Sequence, residues 1–316
     1  MKKHKICKII LAILSVFLCV VFYELIGICI TYKKQPAVSD ATIKETQNIM
    51  SVAGRENTER AVIIEKNSQA LLERVRLIQN AKDEIILSTF AFKSDESGKL
   101  ILGALYDAAD RGVHVRILVD GMESWIDMEG NPYFYGLSSH ENVEIKLYNK
   151  ANPLKPWKTM GRMHDKYLIA DGKIYILGGR NTYNYFLGDF PGHKNFDRDV
   201  LVVCDEPQKD NSINQLWNYF ETIWEQEDCR YFHNSKKLAD RQSVKKAVLE
   251  LQEGYQQYFE VNKEKICDTD YADETFETEK ITLLSNPIHT GAKEPVVWYQ
   301  LGELMKNAKE RVKIHT

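Results

Sequence analysis

The hydrophobic pattern of the chain begins with one long apolar stretch at the N-terminus. Residues 9–32 are apolar or small apart from a single charged residue, Glu24. At about 1.5 Å per residue, a helix over this stretch spans roughly 36 Å, enough to cross a bilayer core of about 30 Å. No small-residue cleavage site follows the stretch, so residues 1–34 are predicted to be an uncleaved membrane anchor.

Lysines flank the apolar stretch unevenly, with four before it and two after it. They are Lys2, Lys3, Lys5, Lys8, Lys33 and Lys34. Positive residues are enriched on the cytoplasmic side of membrane spans. The asymmetry predicts a single-pass protein of the cell membrane, with a cytoplasmic N-terminus and the remaining chain on the extracytoplasmic side.

Beyond residue 34, polar chain is followed by alternating helical and strand-like segments. Residues 35–58 are polar and are predicted to form a tether. Residues 59–206 alternate between helical spacing, as at 71–81, and apolar strands, as at 84–92 and 113–119. This alternation predicts an α/β lobe with a central mixed sheet flanked by helices.

A mainly helical segment and an internal repeat follow this lobe. Residues 207–280 are predicted to form a helical connection that ends in an acidic linker. Residues 77–89 (LIQNAKDEIILST) recur as residues 304–316 (LMKNAKERVKIHT). One repeat at such a distance indicates a duplicated domain and not a solenoid. Residues 281–316 are therefore predicted to begin a second, incomplete lobe, with a strand starting at 312, in a piece of a longer bilobal protein.

Charge and cysteine content narrow the class of protein. The 316 residues carry a net charge of −3, and beyond residue 34 acidic residues outnumber basic ones, 44 against 36. Proteins that bind nucleic acid usually show a basic excess, so no nucleic-acid partner is expected. The six cysteines lack metal-ligand or CxxC spacing and are predicted to be isolated thiols, with one pairing among Cys204, Cys229 and Cys267 left open.

The candidate chemistry lies at residues 163–171 (MHDKYLIAD), where His164, Lys166 and Asp171 fit the pattern H-x-K-x4-D. A G-G-R-N sequence ending at Asn181 follows. Alternate residues of a strand share one face, so His164 and Lys166 are predicted to project together, with Asn181 reaching the same point from the next turn. Lysine can neutralise a phosphate oxygen and asparagine can donate a hydrogen bond to it. Histidine can attack phosphorus or protonate the leaving oxygen. This trio suits a phosphodiester and requires no metal or other cofactor.

These residues resemble the HKD signature of the phospholipase D superfamily, H-x-K-x4-D followed by G-[SG]-x-N. The G-G-R-N form, followed by Tyr185-Phe186 and the FDRDV sequence of residues 196–200, is most similar to bacterial cardiolipin synthase-like members. The resemblance extends from about residue 60 to the end of the chain. It implies a two-lobed α/β fold with one HKD motif in each lobe, and the two motifs meet at a pseudo-twofold axis.

The resemblance also implies roles for individual residues. They are catalytic His164, Lys166 and Asp171, with Asp171 organising the motif; phosphate-binding Lys166 and Asn181; and Asp197, or alternatively Asp199, orienting the histidine. One histidine of such a pair becomes phosphohistidine and the other acts as acid and base. Gly179 stands where serine is commoner, which removes a hydroxyl that can bind phosphate.

The implied function is a membrane-anchored phosphatidyltransferase that acts on phospholipid phosphodiesters, with acceptors such as glycerol, phosphatidylglycerol or water left open. Phospholipase D or nuclease-type hydrolysis is one alternative, and a non-catalytic lipid-binding or interaction protein is another. The expected partners are phospholipid, the membrane, and a second HKD lobe or a second copy of the chain. No other histidine starts an HKD motif, so this chain alone is expected to be inactive.

Overall fold

A computed structural model describes residues 2–51, 58–152 and 154–314. The helices are α1 (Lys2–Tyr32), α2 (Asp40–Ser51), α3 (Asn67–Asn80), α4 (Glu96–Asp110), α5 (Gly121–Asp127), α6 (Pro132–Ser138), α7 (Ser212–Trp224), α8 (Gln242–Cys267) and α9 (Val296–Asn307). The strands are β1 (Arg60–Ile64), β2 (Glu84–Thr89), β3 (His114–Asp120), β4 (Val143–Tyr148), β5 (Lys166–Ala170), β6 (Ile174–Gly178), β7 (Asp199–Val203), β8 (Cys229–Tyr231) and β9 (Phe276–Glu277). Short 3₁₀ turns occupy Pro156–Met160 and Lys236–Leu238.

The described strands form one mixed sheet in the order β8-β4-β3-β2-β5-β6-β7-β1-β9. β2, β3 and β4 are mutually parallel, whereas β5, β6 and β7 run antiparallel to their neighbours. The periodicity of β2 places Ile85 and Leu87 in the core shared with α3, α4, α6 and α8, and Ile86 in the core shared with α7. The predicted α/β lobe with a mixed sheet flanked by helices is therefore confirmed.

Among the described residues, α1 is the one helix long and apolar enough to cross a membrane. Its apolar part, Lys5–Tyr32, has a mean hydropathy of 2.8 and is not buried by the rest of the chain. The last turns of α1 touch the domain: the Tyr23 hydroxyl donates to the Leu154 carbonyl oxygen, and the Tyr32 hydroxyl donates to the Thr290 carbonyl oxygen. By length and composition α1 is compatible with a membrane anchor.

Two segments outside the lobe differ from the expected structure. Within the predicted tether, residues 40–51 form α2, which packs on α9, while residues 52–57 lie outside the described part of the chain. α9 agrees with the helical end expected for the second copy of the repeat. The strand expected from residue 312 is not formed at 312–314, because none of the described strands offers it a partner; residues 315 and 316 are not described.

All six cysteines are free thiols. Cys204 and Cys229 are buried in the core on the α7 side of the sheet, whereas Cys267 is exposed at the end of α8. The prediction of isolated thiols is confirmed, and the pairing left open among these three is not formed.

Candidate active site

The site lies at the edge of the sheet where β2 ends and β5 begins. β2 and β5 are antiparallel, and Thr89 pairs with Lys166, so the first residue of β5 meets the last residue of β2. Asn181 follows β6 and accepts a hydrogen bond from Ala91, which follows β2. The fold therefore brings the regions of His164, Lys166 and Asn181 together, as the motif spacing predicts.

His164 is exposed, and its ring packs edge-on against Phe90, with ring centroids 4.5 Å apart. β5 begins only at Lys166, so the expectation that His164 shares a strand face with Lys166 is wrong in detail. The backbone N–H of the preceding Met163 donates to the Asp120 carboxylate and not to a neighbouring strand. Partial desolvation of the ring and the Lys166 charge lower the pKa of His164 below its usual 6.5, which favours the neutral imidazole at pH 7.

Lys166 is buried beside this exposed histidine. Its Nζ donates to the His164 carbonyl oxygen at 2.6 Å and lies 5.2 Å from the centroid of the Phe90 ring. Burial lowers the pKa of Lys166 to about 8, while the carboxylates of Asp165 and Asp197 act in the opposite direction. Lys166 is therefore a cation at neutral pH but loses its proton in mildly alkaline solution.

Asn181 is also buried, and its orientation is fixed by the backbone. Its Oδ1 accepts from the Ala91 N–H at 3.1 Å. An amide that accepts through oxygen on one side turns its two N–H donors the other way. The side chain is thus held as a hydrogen-bond donor whose position does not depend on a ligand.

Phe90, Arg162 and Asp120 are site residues that the sequence motif did not indicate. The Arg162 guanidinium donates through Nε and Nη2 to the Asp120 carboxylate, at 2.9 and 2.7 Å, and its Cζ lies 5.0 Å from the Phe90 centroid. Asp120 is buried and caps α5 by accepting from the Met122 N–H. One carboxylate thereby holds the segment that leads into His164. The sequence signal that could have indicated Asp120 is its place at the carboxyl end of β3, a parallel strand.

The two candidates for orienting the histidine have different surroundings. Asp199 is fully buried and forms ion pairs with Arg74 at 3.0 Å and Arg180 at 3.2 Å. Arg180 is itself buried and also donates to the Asn67 Oδ1, which fixes the turn that carries Asn181. Asp199 therefore has a structural role, and its assignment as the alternative histidine-orienting residue is wrong.

Asp197 is half-buried and faces the glycine of the motif. Its Oδ1 accepts from the Arg198 N–H at 2.7 Å, and within the described residues it makes no hydrogen bond to His164. A Cβ atom at Gly179 would lie 2.0 Å from the Asp197 Oδ2, so the commoner serine would require the Asp197 side chain to move. The orienting contact between Asp197 and His164 stays a prediction that this conformation does not display.

Asp171 lies at the opposite end of β5 from Lys166. Its carboxylate accepts backbone hydrogen bonds from Lys82, Asp83 and Glu84 at 2.8–3.2 Å, at the start of β2. The strand of five residues separates it from Lys166 by roughly 17 Å, and His164 lies beyond Lys166. The expected catalytic role of Asp171 is corrected to a structural one, because it cannot contact the reacting group from this position.

Replacing Asp171 by alanine should therefore destabilise the fold. Three backbone N–H groups lose their acceptor, and each partly solvated donor left unpaired costs about 1 kcal/mol. We expect a loss of about 2–3 kcal/mol in the free energy of unfolding, measured by denaturant titration. An unchanged transition midpoint would contradict this role. Asp83→Ala, which leaves the Asp171 carboxylate and the backbone donors in place, is the matched control.

Comparisons with known proteins match the central part of the chain. Residues 75–224 match the family model described as cardiolipin synthase, PLD-like domain. Over 181 residues the chain is 33% identical to an uncharacterised protein of Helicobacter pylori. This alignment covers 53% of this chain and 35% of that protein. Over 154 residues it is 29% identical to cardiolipin synthase C of Escherichia coli. This alignment covers 44% of this chain and 31% of that protein.

The chain spans about a third of the length of these curated relatives. Among solved structures, NucT from Helicobacter pylori superposes with a TM-score of 0.43 at 18% identity, covering 55% of this chain and 99% of that one. The family match, the named relatives and the mixed α/β sheet agree. Over residues 75–224 the chain is a cardiolipin synthase-like member of the phospholipase D superfamily.

Proposed function

We propose that the chain supplies one half of a membrane-anchored phosphatidyltransferase that acts on phospholipid phosphodiesters. The observation that carries the proposal is the grouping of an exposed histidine with a lowered pKa, a buried lysine and an oriented amide donor. These groups match the needs of a tetrahedral anion: a nucleophile, a cation and a hydrogen-bond donor. The apolar helix α1 on the same chain favours a lipid as the substrate.

In the proposed reaction the neutral His164 attacks phosphorus and forms a nitrogen–phosphorus bond. The bond to the leaving alkoxide breaks, and the alkoxide takes a proton from a second histidine opposite His164. An acceptor hydroxyl then gives its proton back to that histidine and attacks phosphorus, which releases His164. Lys166 and Asn181 hold the non-bridging oxygens throughout, where charge develops in each transition state.

The second histidine has to come from outside the described lobe. His164 lies on an exposed edge, and the motif supplies one imidazole where the reaction needs two. We propose that a second HKD lobe, or a second copy of this chain, covers this edge. The 316-residue chain alone is accordingly expected to turn over phospholipid very slowly, since general acid–base help contributes about 10²–10⁴-fold.

The second candidate function is hydrolysis, which uses the same chemistry. Water can replace the acceptor alcohol without any change in the groups that handle phosphate, which would make the protein a phospholipase D. A nuclease-type substrate is disfavoured by α1 and by the acidic balance of the chain beyond residue 34. A non-catalytic lipid-binding role would apply if the edge at His164 were never covered.

The pH dependence of turnover should be bell-shaped, because His164 must be neutral and Lys166 charged. Activity is expected to rise with pH through a pKa below 6.5 and to fall through about 8 as Lys166 loses its proton. Lys166→Arg should keep a cation that does not titrate below pH 12, so the inflection near pH 8 should disappear even where kcat is lower. The alkaline fall that remains should be that of the second histidine, which must carry a proton to protonate the leaving alkoxide. Profiles of kcat/KM report the free enzyme. An inflection near pH 8 retained in this variant would contradict the assignment to Lys166.

The experiment that tests the function uses vesicles of phosphatidylglycerol containing the chain joined to a second HKD lobe. Formation of cardiolipin and glycerol in equal amounts would support phosphatidyl transfer. Phosphatidic acid alone would assign hydrolysis, and cleavage of an oligonucleotide without any lipid product would assign the nuclease alternative. No turnover by the joined protein would overturn the enzymatic proposal.

A further inference from the structure

Large apolar side chains are exposed on one side of the lobe, close to α1. Trp125 and Ile126 of α5 are 66% and 67% exposed, and Leu154 and Met160 of the loop after β4 are 78% and 59% exposed. We call these four residues the apolar patch. Exposed groups of large apolar side chains on a soluble surface usually mark a contact with another apolar phase.

The patch is continuous with the end of α1. A cleft of about 470 Å³ is lined by Glu24 of α1, Trp125 of α5, and Lys150 and Thr159 of the loop. The loop also contacts α1 directly, because Tyr23 donates to the Leu154 carbonyl oxygen and packs edge-on against Trp157 at 6.3 Å. The patch therefore sits at a fixed height along the helix.

That height corresponds to the surface of a bilayer that holds α1. Residues 5–20 of α1 are all exposed, and half-buried positions recur from Val21 onward on the side that meets the domain. Counted from Ile9, which follows the last of the four N-terminal lysines, a hydrocarbon core of about 30 Å takes about 20 residues and ends near Ile28. Tyr23, with Leu154 and Trp157 at its level, then lies about 7 Å from that boundary, within the depth that amphipathic surfaces reach at the membrane interface.

We infer that the apolar patch docks on the anionic headgroup layer of the membrane that holds α1. Tryptophan prefers this layer, where its ring is half in hydrocarbon and its N–H in water. Lys150 and Lys155 are exposed in the same loop and complement anionic phospholipid. The inference rests on the membrane anchoring contained in the proposed function.

The patch adjoins the candidate active site. Met160 precedes by two residues Arg162, which pairs with Asp120 and Glu123 at the start of α5. Docking would hold the edge that carries His164 beside the headgroups. A phospholipid phosphate could then reach His164 while its acyl chains stay in the bilayer.

The test is tryptophan quenching in vesicles of phosphatidylglycerol and phosphatidylcholine whose acyl chains carry bromine near the headgroup. Trp125 and Trp157 should account for the quenched fluorescence, so Trp125→Phe should remove about half of it. In the Trp125→Phe background, the fluorescence of the tryptophan introduced by Leu154→Trp should be quenched, whereas that of the tryptophan introduced by Val261→Trp should not. Val261 is the matched control because it is 84% exposed and lies on α8, which packs on α3, α4 and α6.

The results of these experiments distinguish docking of the apolar patch from anchoring by α1. Recovery of the full chain in the supernatant of a carbonate wash would overturn the anchor, and with it the membrane part of the proposed function. If the chain stays in the membrane but Trp125→Phe leaves quenching unchanged, the patch does not dock. Equal quenching of the Leu154→Trp and Val261→Trp reporters would also overturn docking of the apolar patch. Crosslinking of Leu154→Cys to a second lobe or a second copy, with no lipid quenching, would assign the patch to a protein partner instead.

Discussion

Replacing His164 by alanine in the two-lobed protein should lower turnover by more than about 10³-fold, because the nucleophile is lost and not merely weakened. The neighbouring Lys166 and Asn181 keep their own contacts to the backbone. His164 is exposed, so its removal leaves no large cavity in the core. The melting temperature is therefore expected to stay within about 2 °C of the parent protein.

His114→Ala is the matched control for this substitution. Its side chain is 46% exposed and pairs with Glu144 at the start of β3, the end of the sheet opposite the site. Turnover should be unaffected there. Near-normal turnover of His164→Ala, or a collapse of its melting temperature, would each contradict the assignment of His164 as nucleophile.

Replacing Asp199 by alanine should have the largest effect on stability. Asp199 neutralises Arg74 and Arg180, whose side chains are 5% and 0% exposed. Without it, two guanidinium cations remain buried near each other, and breaking a buried pair in this way costs about 3–5 kcal/mol. A domain of this size should lose about 10 °C in melting temperature.

Asp197→Ala separates this structural role from a role at the site. Asp197 is half-buried two residues away and helps to raise the pKa of Lys166. Its removal should change stability by about 0.5 kcal/mol or less. The alkaline limb of the activity profile should move to lower pH, since Lys166 then loses its proton more easily. Equal melting temperatures for the Asp199→Ala and Asp197→Ala variants would contradict the buried ion-pair network.

Periodicity predicted the lobe because its elements are strongly patterned. The helical spacing at 71–81 identified α3, and its Leu71, Val75 and Ile78 side chains are buried. The apolar run of β2 likewise marked a strand that is covered on both faces. The polar residues 40–51 gave no such signal, and α2 depends on packing against α9, 250 residues along the chain.

Motif spacing predicted the site only where the chain is locally extended. Lys166 lies on the predicted strand and Asn181 on the turn after the next one, whereas His164 lies just before the strand begins. The H-x-K-x4-D pattern does not show at which end of the strand each of its residues lies. The pattern therefore groups Asp171 with catalytic residues that lie roughly 17 Å away. Phe90 packs on the His164 ring, and Asp120 holds Arg162 and Met163 just before it. Contacts between segments more than 40 residues apart leave no local pattern.

Trapping of the covalent intermediate tests whether His164 becomes phosphohistidine. The two-lobed protein is mixed with phospholipid carrying radiolabelled phosphorus, denatured in alkali within one turnover, and digested. We expect a label on the peptide that contains His164, stable in alkali, labile in acid and absent from His164→Ala. A labelled peptide from elsewhere, or turnover with this peptide unlabelled, would contradict it.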